Sequence, residues 1–161
     1  MVTAEQLAQT LLQGDPEGRT AAAQTLAAMG EAAAPAAVAL VKMSSAGAAG
    51  EWCVGALEAI GPPALHDAQA LAVLLASPAA PAAYWAATLL GRLGPAAAAH
   101  AGAVEKATHH ADHATAERAV LALGKIGPAA AQARPRLESL AASGKGRIAR
   151  LARQALAAIG E

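Results

Sequence analysis

The side chains best suited to chemistry crowd into one short stretch: His109, His110, Asp112 and His113. Imidazole nitrogens and carboxylates are ordinary ligands of zinc and related divalent metals. In a continuous helix His109 and His113 would lie one turn apart on one face, where they could share an ion. Two or three ligands without a clear further partner do not complete a tetrahedral set, however. Alignment with the repeats described below also puts the segment in a loop between helices, where Asp112 or Thr115 would cap the next helix. His109 and His113 are therefore carried as metal-ligand candidates beside the alternative of a solvated turn.

Other reactive groups are sparse. Cys53 is the only cysteine, so an internal disulfide is excluded. It falls on an apolar helix stripe, which reads as a buried small hydrophobe rather than a nucleophile. His66 and His100 have no Ser or Cys with a carboxylate arranged around them. Glycine-rich phosphate loops and paired carboxylates at catalytic spacing are missing from the sequence. No catalytic residue and no cofactor is assigned on these grounds. The aromatic side chains are Trp52, Tyr84 and Trp85. The two tryptophans take the same position in consecutive repeats, on the flank of the core stripe. They read either as packing between neighbouring helices or, with Tyr84, as an aromatic patch that anchors a partner.

The elements that must carry these residues announce themselves through a repeated phrase: Leu, two residues, a large aliphatic, Gly. It occurs as Leu26 to Gly30, Leu57 to Gly61, Leu90 to Gly94, Leu123 to Gly127 and Leu156 to Gly160. Successive glycines are 31, 33, 33 and 33 residues apart. Such a period is the signature of stacked helical units. Within each phrase the Leu and the aliphatic share a face with a small residue four positions earlier, at Ala22, Cys53, Ala86, Ala119 and Ala152. The Gly is expected to cap the helix in a left-handed conformation, and Pro62, Pro95 and Pro128 follow at once. A second helix is expected after each Gly, with Leu40, Leu71, Val104 and Leu137 facing inward and Met43, Leu74, Ala107 and Leu140 three residues on. Thr3 with Gln6 has capping-box spacing; Asp15-Pro16 and Ser77-Pro78 read as helix starts.

Ala makes up roughly a third of the chain, well above ordinary usage, and favours helix. The expectation is a single all-α domain over 1–161: a cap helix at about 1–14, helix pairs at 15–46, 47–78, 79–112 and 113–144, and a final helix within 145–161. That is about ten antiparallel helices in four pairs with terminal half-repeats. The half-repeats read as caps or as the edges of a longer array. Residues 68–91 carry no charge and reach the length of a membrane span, but Ser77, Pro78 and Pro81 interrupt them. With no basic, apolar leader at the N-terminus, a cytoplasmic protein with no membrane partner is expected.

The formal net charge is zero, which disfavours wholesale nucleic-acid binding. Residues 1–80 hold two basic and seven acidic side chains, and residues 81–161 hold ten and five. This is either drift on solvated faces or a docking surface, for a partner or for head-to-tail self-association, and a homo-oligomer would also cover exposed alanine.

At Asp15-Pro16-Glu17-Gly18-Arg19 through Leu26 to Gly30, and again at Arg134-Pro135-Arg136-Leu137, the chain resembles the HEAT repeats, in particular the bacterial subgroup named after phycobilisome lyases. The resemblance implies a right-handed α-solenoid whose second helices line a concave surface. On that surface Lys42, His66, Gln69, Lys106, Gln132, Arg136 and Ser139 become candidates for partner contact, with Trp52 and Trp85 on the flank. It also implies the function expected first, a protein-interaction scaffold. Two alternatives come with it: a bilin lyase or isomerase, or its accessory subunit, and a DNA-binding or DNA-repair solenoid. Arg147, Arg150 and Arg153 form a basic stripe on the last helix, read as an exposed cap or as a phosphate-facing end.

Overall fold

The computed structural model describes residues 1–143 and 145–160. All regular structure among them is helical. Among the described residues ten α-helices form, in the order expected, and they fall into two compact units, Met1–Asp67 and Ala68–Glu161.

The first unit holds α1 (Ala4–Gln13), α2 (Pro16–Met29), α3 (Ala37–Met43) and α4 (Gly47–Ala59). Thr3 and Gln6 close a reciprocal capping box on α1. The Asp15 carboxylate accepts the Gly18 N–H at 2.7 Å, with Pro16 in the first turn of α2. α2 packs against α1 and α4, and α3 against the same two helices. Leu11, Leu26, Leu40 and Leu57 are fully buried at these contacts. Each such leucine contributes about 1.5–3 kcal/mol of apolar burial. One helical run, Pro16–Met43, is long and apolar enough to cross a membrane by length and composition. It is broken at Gly30, and Ala22, Ala23 and Leu26 of its apolar face belong to the core of this unit.

The second unit holds α5 (Ala68–Leu74), α6 (Ala80–Leu93), α7 (Ala101–Ala107), α8 (His113–Ile126), α9 (Arg134–Ala142) and α10 (Gly146–Ile159). α6 packs on α8, and α8 on α10; α5, α7 and α9 each lie against the longer helix that follows. The uncharged stretch 68–91 is divided between α5 and α6. The expected loop from Ser143 to Gly146 contains Gly144, which lies outside the described residues, as does Glu161.

The inward positions of the repeat are buried as the periodicity requires. Ala22, Cys53, Ala86, Ala119 and Ala152 are all within 3% of full burial. Leu71, Val104 and Leu137 are sealed, while Met43, Leu74 and Leu140 are half-buried at the edge of the second stripe.

Three local expectations are corrected. Gly30, Gly94, Gly127 and Gly160 adopt positive φ of 56, 58, 76 and 81°, but Gly61 does not. After Gly94 and Gly127 a single proline opens a tight 3₁₀ segment, Gly94–His100 or Gly127–Ala133. After Gly61 there are two. Pro63 disfavours helical backbone at Pro62, so the chain leaves α4 extended at Ile60 (φ −71°, ψ 144°) and turns again only at Leu65–Asp67. The interval of 31 residues ends at Gly61, and the division between the units follows at Asp67. Ser77 does not cap a helix: its hydroxyl accepts the Ala79 N–H at 3.2 Å in a local turn, and α6 begins at Ala80 with Pro81 in its first turn. Finally, seven-residue 3₁₀ segments precede α3, α7 and α9, so the second helices are shorter than their spacing suggests.

Candidate functional site

A concavity of the second unit opens between α5 and α7. These two helices barely touch. Alanines on the facing surfaces, Ala72 and Ala76 on one side, Ala103 and Ala107 on the other, leave a groove of about 460 Å³. Val73 stands at its edge 66% exposed. Lys106, His109 and His110 complete the wall, and among the described residues no carboxylate lines it.

His110 fixes the end of the groove. The Asp112 N–H donates to its Nδ1 at 3.0 Å, so the ring proton sits on Nε2 and is donated to the Ser77 carbonyl at 3.2 Å. That pair of bonds ties the loop after α7 to the loop after α5. Asp112 itself caps α8: its carboxylate accepts the Thr115 N–H and hydroxyl, each at 2.8 Å. The Thr115 N–H, and then its hydroxyl, hold the Asp112 carboxyl below the usual range.

α7 ends at Ala107 and α8 starts at His113, so His109 and His113 are not on one helical turn. His109 faces the groove and His113 is exposed at the start of α8. Among the described residues no group of three or more His, Cys, Asp or Glu side chains is placed to hold a metal.

The residues singled out from the sequence separate into distinct roles. Lys106 is exposed on the groove rim. Lys42 is exposed in the last turn of α3, where a cation complements the helix dipole. His66 is exposed, 3.5 Å from Asp67, whose carboxyl is raised by burial. Gln69 and Ser139 are exposed on α5 and α9, and Gln132 lies over Gly102 of α7. Arg136 is different. Its Nε donates to the Thr108 hydroxyl at 3.0 Å and its Nη2 to the Thr108 carbonyl at 3.1 Å, closing the C-terminus of α7. It is therefore a staple between helices rather than a free partner contact.

Other arginines do the same work. Arg19 donates to the Leu12 carbonyl at the end of α1, Arg153 to Ala141 at the end of α9, and Arg134 to Gly160 at the end of α10. Each donates to a carbonyl at a helix end, where few backbone donors remain. Arg147 pairs with Glu117 at 3.4 Å. Much of the basic excess of the second unit is thus engaged in holding helices together; of the final-helix stripe, Arg150 makes no such bond to the described residues.

The tryptophans differ. Trp52 is 45% exposed on α4, whereas Trp85 is 7% exposed on α6. Tyr84 meets Trp85 edge-on at 5.4 Å, Arg92 lies 5.8 Å from the Trp85 centroid, and Arg118 covers Tyr84 at 4.7 Å while donating to its hydroxyl. Trp85 is consequently packing and does not join a surface patch. Burial, and then the nearby Arg118, lower the Arg92 pKa. Cys53 is fully buried, and burial pushes its thiol up to about 11, which removes it as a nucleophile near neutral pH.

Val73, Ala72, Ala76 and Ala103 were not among the sequence candidates, and His110 stood among them only as part of the histidine cluster. A signal was present: small side chains stand four apart, Ala72 of α5 with Ala76 just past its end and Ala103 with Ala107 on α7, too small in volume to fill the space they face.

No protein-family model and no curated protein matches the chain. Among solved structures it is similar to a crystal structure of an engineered protein from the Northeast Structural Genomics Consortium, at 22% identity over 99% of this chain and 80% of that one, with a TM-score of 0.68. At that identity the likeness is one of fold.

Proposed function

We propose that this chain is a protein-interaction scaffold of the HEAT-like kind, a right-handed α-solenoid of antiparallel helix pairs, which holds a protein partner in the α5–α7 groove. The observation that carries the reading is the groove itself: an alanine floor with an exposed valine at its edge and a basic rim on the second-helix side of the unit. Exposed large apolar side chains beside a concave surface are what a docking site needs. The solenoid part of the reading is supported by the glycine period, by four caps of one conformation and by the nearest-neighbour packing of α6, α8 and α10. A buried thiol in a chain with a single cysteine fits the reducing cytoplasm.

The test compares wild type with Val73→Asp in affinity capture from the native cell lysate. Val73 is exposed, so the variant keeps the fold, which circular dichroism checks. Proteins held by wild type and lost by Val73→Asp are expected. Identical capture by both would remove the groove from the function.

A further inference from the structure

Resting on the groove as the docking site, we infer that its partner is an amphipathic helix bearing carboxylates beside its apolar stripe. Two features select this occupant. The floor is a strip between two helices, lined by methyl groups and closed at one end by the His110 tether. Such a strip accepts the side chains that a helix presents at i, i+3, i+4 and i+7. The rim is cationic or hydrogen-bond donating: Lys106 brings an ammonium, His109 brings a ring N–H, and among the described residues no carboxylate lines the groove. The second unit holds ten basic and five acidic side chains. Of these, Arg134, Arg136 and Arg153 are bound to carbonyls and Arg147 to Glu117. Lys106 has no such bond and is exposed at the rim. An incoming Glu or Asp therefore meets an available cation and no repelling neighbour in the lining, whereas an incoming Lys meets only like charge.

Two lactam-bridged helical peptides of about 14 residues serve as probes, the bridge offsetting the marginal helicity of a free peptide of that length. Both carry leucines at i, i+3, i+4 and i+7. One flanks the stripe with Glu, the other with Lys. Binding to the full chain is read by fluorescence anisotropy at low ionic strength, where rim charges are least screened. The Glu peptide is expected to bind at least about fivefold more tightly than the Lys peptide. Lys106→Glu is expected to abolish or reverse that preference, and Val73→Asp to weaken the Glu peptide. Equal affinity for both peptides, lost together in Val73→Asp, would overturn the acidic partner and leave the groove intact as a docking site. No binding by either peptide, or Glu-peptide binding indifferent to Val73→Asp, would overturn this inference and count against the groove as well.

Discussion

At the scale of single residues, the chain spends its charge on helix ends. Arg136 is the clearest case. A helical wheel places it away from the buried stripe of α9, and on that basis it reads as a partner contact. Its guanidinium instead reaches the carbonyl and hydroxyl of Thr108, which caps the end of α7, groups 28 residues away in sequence. Nothing in the pattern around Arg136 could reveal that, because the acceptor is created only when α7 ends. Cys53 was legible for the opposite reason: its role follows from its place on the periodic stripe. Arg136→Leu removes two charge-assisted hydrogen bonds and leaves the Thr108 acceptors unmet. It is expected to lower stability by about 1–3 kcal/mol, measured by urea unfolding. Val73→Asp, by comparison, should leave the midpoint unmoved.

At the scale of elements, the number and order of the helices could be read from the glycine interval, because one phrase fixes both the inward face and the stop of each first helix. Their starts were less legible. Ser77 and Pro78 have the composition of a cap, but the hydroxyl bonds two residues on instead of three, a choice made by local backbone geometry. The close approach of neighbouring first helices was present but unassigned, in the second glycine of two phrases. A Cβ on Gly91 would come within 3.2 Å of Ala122, and one on Gly124 within 3.1 Å of the Ala155 Cα. Gly55, inside α4, has nothing within 4 Å. The two kinds of glycine should respond oppositely. Gly124→Leu is expected to cost about 1–3 kcal/mol by overpacking the α8–α10 contact. Gly55→Ala should gain about 0.5–1 kcal/mol, because an open helical site profits from the lost backbone freedom. Thermal unfolding of the two variants decides between them.

At the scale of the whole molecule, the uneven charge seen along the sequence coincides with the division of the structure. Residues 68–80 carry no Asp, Glu, Lys or Arg, so Met1–Asp67 holds two basic and seven acidic side chains and Ala68–Glu161 holds ten and five. The shortened interval ends just before that place, at Gly61, and the double proline after it sends the chain out of α4 extended rather than into a 3₁₀ segment. The two prolines are plain in the sequence but their effect is not, because the constraint acts on Pro62 through the residue after it. Each unit has its own sealed leucines, Leu11, Leu26, Leu40 and Leu57 in one, Leu71, Leu89, Leu90, Leu123 and Leu137 in the other. Leu26→Ala should therefore cost about 2–5 kcal/mol locally. Amide hydrogen exchange, read helix by helix, should accelerate through α1 to α4 and stay unchanged in α6, α8 and α10. Acceleration over the full length would mean that the chain unfolds as one cooperative block.

The α5–α7 groove is a space made by omission: its floor exists because alanine stands where a larger side chain would have filled it. A site of that kind is open to revision. Growth of Ala72 or Ala103 to valine would narrow the channel without touching the sealed positions beneath, so its shape can drift while the fold stays still. Descendants of this sequence could change what they recognise by adding one or two carbons at a time, and lose recognition altogether by the same small steps.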